Sequence, residues 1–418
     1  MRNGPFSVRS LQFAFLLRIS FGFILFLLYT YYYPVRQDAD TFKYFDDSMY
    51  MYDALWTNPG DYFQMLFGFN CETEYFQSNY FTHMSNWERS YDNGLFNDNR
   101  LVIRINALMR IFSFGSYHVH SIILSYLAFL GSFYLSRVFY DISKAKLITY
   151  FSVFMVPSLV FWSSGILKEA VLLFALGVFA YHFYQLLKRN YHFKHVVMLL
   201  LMSCILIVMK LYVFAAFLPA ILVWYIVNRY KAKLWVYLLS YTAFILIALL
   251  IGQIDPRYDF INLIVDKQKQ FIGLAEFYDV NSGFHMEVLT YELWDVIKAC
   301  PEAIFNAFTK PWLSEVSSIL FVPAVIENLC FLLLLIGAIM YKRELNQKHW
   351  NFILFCLSFS VILYCVIGLT TPITGAIVRY KIPAAPFLFM AVLLIFDFAR
   401  LPGFLTKNKC TKWINTFL

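Results

Sequence analysis

The chain has 418 residues, 60% of them hydrophobic and only 14% charged, with a mean hydropathy of +0.60. A soluble domain carries charge on about a quarter of its residues, so composition excludes a soluble globular protein. The net charge of +8 is not a nucleic-acid footprint, because Lys and Arg sit in short clusters between apolar runs, as in the cytoplasmic loops of membrane proteins.

Those runs are about 20 residues long and do not alternate, which predicts an all-α polytopic integral membrane protein rather than a barrel. Ten transmembrane helices are expected, over about 11–33, 116–138, 146–163, 166–187, 195–211, 212–228, 234–252, 316–341, 350–369 and 384–400. They read as one integrated membrane domain, 1–418, with two long external loops over about 34–115 and 253–315. The start "MRNGPFSVRS" resembles a signal peptide. The run behind it is long and ends in "YYYP" without a small-residue cleavage site, so it is expected to stay as an anchor.

The first loop opens with "PVRQDADTFKYFDDSMYMYD", Pro34 to Asp53. A helix over 38–53 places Asp40 and Asp47 on one face with Lys43 between them, and Asp46 and Asp53 on another. Asp46, Asp47 and Asp53 are expected to form the solvated face. Asp38 and Asp40 lie within a turn or two of the membrane surface, where partial desolvation raises a carboxyl pKa and suits it to general-base work. The same Asp-x-Asp could instead hold a divalent cation, Mg or Mn. Further on, "NRLVIRINALMRIFSF" (Asn99–Phe114) carries Arg100, Arg104 and Arg110 among apolar positions, the pattern of an interfacial amphipathic helix or a short extra span.

In "VPSLVFWSSGILKEAVLLF" (Val156–Phe174), Pro157 and Ser163-Ser164-Gly165 break a span, and Lys168-Glu169 open the next. Backbone N–H groups with Lys168 would make a phosphate-binding corner. Alternatively, Lys168 snorkels and pairs with Glu169 or a lipid head group. Lys210, in "VMKLYVF", is either a second snorkelling lysine or a further member of the anion site. The second loop supplies two more interfacial-helix candidates, "DPRYDFINLIVDKQKQFIG" and "TYELWDVIKACPEAIFNAF". Cys71 and Cys300 both fall in external loops, which leaves a disulfide open to them. His83, His118, His120, His182, His192 and His195 show no metal-ligand spacing.

Near the end, "TTPITGAIVRYKIPAAPF" (Thr370–Phe387) brackets Arg379, Tyr380 and Lys381 with prolines and a glycine. Basic clusters at Arg2 and Arg9, Arg137 to Lys146, Lys188 to Lys194, Arg229 to Lys233, Lys342 to Lys348 and Arg400 to Lys412 put both termini in the cytoplasm by the positive-inside rule. Lys168, Lys210, Arg379 and Lys381 are then the cations of the short external turns. Cations placed against that rule need a reason, and a bound anion is the simplest. No Walker loop, dinucleotide fingerprint or Gly-x-Ser-x-Gly elbow occurs.

External carboxylates beside external phosphate-seeking cations describe a site for a lipid-linked sugar phosphate. In this layout the chain resembles the GT-C superfamily of membrane glycosyltransferases, including the protein O-mannosyltransferase and lipid A aminoarabinose transferase types. The likeness rests on Asp38 or Asp40 just after the first span, on "PSLVFWSSGILKEAVLLF", and on "GAIVRYKIPAAPFLFM" with Arg379 and Tyr380 followed by Pro383 and Pro386. Asp-Ala-Asp stands where the mannosyltransferase type has Asp-Glu. The resemblance implies a GT-C-like fold in a bacterial inner membrane and inverting transfer from a polyprenyl-phosphate sugar to a glycan, lipid or protein acceptor. Asp40 or Asp38 would be the base, and Arg379, Lys381, Lys168 and Lys210, with Tyr380, the phosphate-binding groups. No cofactor is required in that scheme, and a cation on Asp38 and Asp40 is the fallback. An O-antigen-type polymerase, a lipid or polysaccharide transporter and a non-catalytic export subunit are the competing expectations. A transporter would show ionisable residues near mid-span and broken helices.

Overall fold

A computed structural model describes residues 5–32, 35–36, 39–88, 97–230, 235–278, 280, 282–316 and 318–400. The helices in the first part of the chain are α1 (Val8–Tyr31), α2 (Asp40–Thr57), α3 (Pro59–Phe67), α4 (Glu74–Asn79), α5 (Asp98–Ser113) and α6 (Tyr117–Ser143). There follow α7 (Lys146–Tyr150), α8 (Pro157–Trp162), α9 (Lys168–Leu187), α10 (Phe193–Tyr230), α11 (Trp235–Ile254) and α12 (Phe260–Phe277). The last are α13 (Leu293–Thr309), α14 (Val322–Met340), α15 (Gln347–Thr370), α16 (Thr374–Tyr380) and α17 (Ala385–Ile395). Among the described residues there is no β-strand, in keeping with the all-α expectation.

Among the described residues, seven helices are long and apolar enough to cross a membrane: α1, α6, α9, α10, α11, α14 with the turn before it, and α15. An eighth crossing results if α16 and α17, bent by 72° at their junction, count as one broken span. Two of the ten expected spans differ locally. The runs 195–211 and 212–228 both lie in the 38 residues of α10, which kinks at Lys210 (φ −153°, ψ 88°), the expected boundary between them. The run 146–163 breaks because Phe151–Met155 form a π turn and Val156 is extended ahead of Pro157, as a residue before proline prefers to be. The chain divides into two compact units, 1–135 with 160–186 and 191–211, and 136–159 with 187–190 and 212–418.

In the first unit the loop after α1 is a folded layer in which α5 packs on α2. The amphipathic helix expected over 99–114 is present as α5, but its cations turn inward. Arg110 donates to the Phe45 carbonyl at 2.6 Å and the Ser48 hydroxyl at 2.8 Å, with its guanidinium over the Phe45 ring. Arg104 donates to the Met65 carbonyl, and Arg100 to the Trp87 carbonyl and Glu72. Asp47, expected on the solvated face, is 2% exposed. Its carboxylate accepts from the Ser85 N–H at 2.9 Å, the Ser85 hydroxyl at 3.2 Å and the Asn86 N–H at 2.8 Å. Asp46 stays outside and pairs with Arg36 through both oxygens.

Beneath this layer α6 and α9 touch backbone to backbone: a Cβ on Gly177 would meet the Gly131 carbonyl oxygen at 2.0 Å. Small residues allow such approach where apolar burial alone does not favour helix association. Arg18, fully buried within α1, donates to the hydroxyls of Ser163 and of Ser132, the latter at 2.8 Å, and so ties α1 to α6 and to the corner between α8 and α9.

In the second unit an aromatic cluster forms the centre, with Phe217, Phe355, Phe359 and Phe139 around Phe387 at centroid distances of 5.0–5.7 Å. The two interfacial helices expected in the second loop are α12 and α13. Gln268 of α12 clamps the intervening segment, accepting from the Leu289 N–H and donating to the Glu287 carbonyl. α13 crosses α15 in backbone contact, since a Cβ on Gly368 would lie 2.0 Å from the Ala303 oxygen.

Gly177→Ala is expected to destabilise the protein by about 1–3 kcal/mol through overpacking. Gly273→Ala, where an added methyl meets nothing within 4 Å, should be neutral or stabilising by up to about 1 kcal/mol. Thermal unfolding in detergent reads both, and equal shifts would refute the α6–α9 contact. Burial pushes the Asp47 carboxyl up to about 6, against the hydrogen bonds that pull it down. A folded-state value above the ordinary 3.8 means that the group's titration contributes stability in full below that value, and that the contribution is lost as pH rises through about 6. Asp47→Asn should abolish this pH dependence and weaken amide-exchange protection at 85–86, and unchanged protection would contradict the assignment.

Candidate functional site

α14 begins behind Pro323, and its second turn presents Glu327 and Asn328 to the middle of the second unit. Ser158 is the second residue of α8, whose first-turn N–H groups have no helical acceptor. Glu327 supplies one, accepting from the Ser158 N–H at 2.7 Å and from its hydroxyl at 2.6 Å. Asn328 does the converse at the end of α13, donating from Nδ2 to the Thr309 and Pro311 carbonyls at 3.1 and 3.2 Å. That leaves its Oδ1 facing Lys381.

Lys381 follows the last residue of α16, at the 72° corner before α17. Pro383 and Pro386 bracket the corner's end, and a proline cannot continue the backbone ladder of a preceding helix. The Lys381 side chain is consequently turned inward and is 6% exposed. Its ammonium donates to Asn328 Oδ1 at 2.9 Å and to the Lys310 carbonyl at 3.3 Å. Lys310 caps the C-terminus of α13, where the helix dipole favours a cation. Glu327 attracts this ammonium electrostatically but forms no direct ion pair with it.

Glu327, Asn328 and Lys381, with Ser158 and the Tyr364 phenol, line a small cavity of about 20 Å³. Its remaining walls are largely aromatic, from Phe308, Phe331 and Phe389. The result is one carboxylate and one cation at the rim of an apolar space, with the cation held by neutral oxygens. Such a group is poised for an anion, because a buried ammonium gains most from a full negative charge. Arg379 and Tyr380 are half-buried on the last turn of α16, and the Tyr380 ring lies near Phe271 and Tyr212, at 6.1 and 6.3 Å between centroids.

The other residues singled out from the sequence lie in the first unit. Asp40 is the first residue of α2 and half-buried, while Asp38 lies outside the described residues. The cation considered for Asp38 and Asp40 therefore has one described ligand candidate, Asp40. Among the described residues no group of three or more His, Cys, Asp or Glu side chains converges as a metal site. Lys168 opens α9 and binds Asp98 of α5 at 2.7 Å, with side-chain exposures of 7% and 13%. Lys210 stands 3.6 Å from Glu169. Each lysine thus has a carboxylate neighbour, Asp98 for Lys168 and Glu169 for Lys210, and an incoming phosphate would compete with a carboxylate at both.

Sequence reading passed over three groups: Glu327 and Asn328, which sit in an apolar run, and Arg18, which sits in the first one. A lone polar residue inside a span is the signal that would have found them, because it is expensive there unless it faces a partner. Cys71 and Cys300 are both free thiols.

If Lys168 is chiefly a partner for Asp98, Lys168→Met strands a buried carboxylate and should destabilise the protein by about 3–5 kcal/mol. The double variant with Asp98→Leu should recover most of that loss, and a double variant as unstable as the single one would refute the pairing.

No family model matches this chain, and neither a curated protein nor a solved structure matches it.

Proposed function

We propose that this chain is a membrane glycosyltransferase that moves a sugar from a polyprenyl-phosphate donor to an acceptor hydroxyl on the external face of a bacterial inner membrane, with both termini cytoplasmic. The observation that carries the reading is Lys381, a buried ammonium whose hydrogen-bond partners among the described residues are an amide and a carbonyl oxygen, beside a small aromatic-walled cavity. Transfer breaks the bond between the anomeric carbon and the donor phosphate, and the electron pair leaves with the phosphate. A fixed cation favours that charge build-up in the transition state more than the ground state. Arg379, with bidentate geometry for phosphate, and Tyr380 adjoin Lys381 in sequence and complete the donor side.

Inverting transfer also needs a base for the acceptor hydroxyl, and we assign that role to Asp40, or Asp38, as the resemblance implies. Lys168 and Lys210 serve the fold through Asp98 and Glu169. The acceptor is a glycan, lipid or protein hydroxyl, and no cofactor enters this scheme.

One observation favours a second reading, transport of a lipid or polysaccharide. The breaks at Lys210 and at the α16–α17 corner each carry a lysine, and discontinuous helices with ionisable residues are how many transporters build a midplane site.

Lys381→Met should reduce sugar transfer by about 10²–10³-fold in protein that inserts and purifies normally, and Asp40→Asn should abolish it. Both are measured with purified protein in vesicles, a radiolabelled polyprenyl-phosphate sugar and a hydroxyl acceptor. Undiminished transfer by Lys381→Met sinks the phosphate assignment. Movement of labelled lipid across the bilayer without breakage of the sugar–phosphate bond would decide for transport.

A further inference from the structure

α13 and α15 cross in backbone contact at Ala303 and Gly368. Three residues earlier on each helix, hence one turn before the crossing, stand Cys300 and Cys365. Their thiols are near enough to perturb one another, the Cys300 thiol donates to the Val296 carbonyl at 3.2 Å, both are free and half-buried, and both pack on the apolar cluster that holds Val296, Ala303 and Leu369. The other described cysteines are placed differently: Cys71 and Cys356 are buried, and Cys204 and Cys330 are exposed. Disulfide formation demands close Cβ atoms with suitable directions, and two neighbouring thiols on helices whose backbones touch one turn away need side-chain rotation and a small approach to meet it.

We propose that Cys300 and Cys365 form a reversible disulfide that pins α13, a helix of the second loop, to α15. The reaction is thiol–disulfide exchange with a disulfide-bearing oxidant, either a small-molecule disulfide or a protein one. The Cys300 thiolate attacks one oxidant sulfur, a mixed disulfide forms, and the other oxidant sulfur leaves as a thiolate. Cys365 then gives up its proton and its sulfur attacks that of Cys300, releasing the second oxidant thiolate. Two cysteine thiols are oxidised, the oxidant disulfide takes two electrons, and two protons pass to the departing sulfurs. Cys300 is suited to the first step, because the neighbouring Cys365 thiol favours its thiolate although burial acts the other way.

The bond has a consequence for the cavity. Phe308 of α13 and Tyr364 of α15 both line it, with ring centroids 4.7 Å apart, so joining the two helices fixes that wall. What the wall encloses rests on the proposed function, whereas the disulfide itself does not.

The test uses full-length protein in detergent without any sugar donor, so its outcome is independent of transfer. One sample is treated with excess oxidised glutathione and another with dithiothreitol; both are then alkylated with N-ethylmaleimide, digested and analysed by mass spectrometry. A peptide linking Cys300 to Cys365 is expected only in the oxidised sample, and it should vanish in Cys300→Ser and in Cys365→Ser. Proteolysis within 282–292 should also slow by about tenfold on oxidation of the wild-type chain. Alkylation of both cysteines after oxidation, in protein that remains monodisperse and melts cooperatively, overturns the proposal, as does a link from Cys300 to Cys71.

Discussion

The 2.7 Å contact between Lys168 and Asp98 joins the start of a membrane helix to the start of a helix in the first loop, 70 residues away in the chain. Both charges are withdrawn from water, and such withdrawal is tolerable only when each finds the other or a dense set of dipoles. Read with this requirement, the buried charges fall into a series. Lys168 and Lys210 have carboxylates. Arg18 has two hydroxyls. Lys381 has an amide oxygen and a helix-end carbonyl, with Glu327 close enough to feel but not to touch. The last arrangement leaves most to gain from an added anion, which is why the proposed chemistry centres there and not at the ion pairs.

A second constraint is the distance between backbones. Helices in an apolar surrounding gain little from burying more apolar surface, so contact quality decides. At Gly131 with Gly177 and at Gly368 with Ala303, the main chains themselves touch. Each contact has chemistry beside it: Arg18 reaches Ser132, next to Gly131, and the two thiols stand one turn from Gly368. The small residues thus position polar groups that they do not contact.

Much of the architecture was legible in the sequence. Hydropathy marked the apolar helices, and the 99–114 amphipathic pattern and the two helices of the second loop are present at α5, α12 and α13. A hydropathy window reports composition and not continuity, so it could not see the π turn ahead of Pro157, whereas the expected boundary within α10 coincides with its kink at Lys210. Side-chain direction was the greater loss. Arg110 and Asp47 read as surface charges because their partners, the Phe45 carbonyl and the Ser85–Asn86 amides, are backbone groups, which no sequence pattern marks. Lys381 was identified from its misplacement against the positive-inside trend. Glu327 and Asn328 were missed because "VIENLC" is apolar on average, and only the fold gives α8 and α13 ends that need an acceptor and a donor.

Arg18 bears on how the protein is made. Its partners Ser132 and Ser163 lie 114 and 145 residues further along the chain, so they leave the ribosome well after α1 does. A lone arginine at the centre of a membrane helix costs about 2.5–3.5 kcal/mol on insertion scales, and during synthesis α1 bears that cost alone. Made before both of its partners, α1 is therefore the last of this three-part cluster to reach a settled environment. Its final seating waits on the corner at Ser163, so that joint of the finished fold is also the one that closes latest around Arg18.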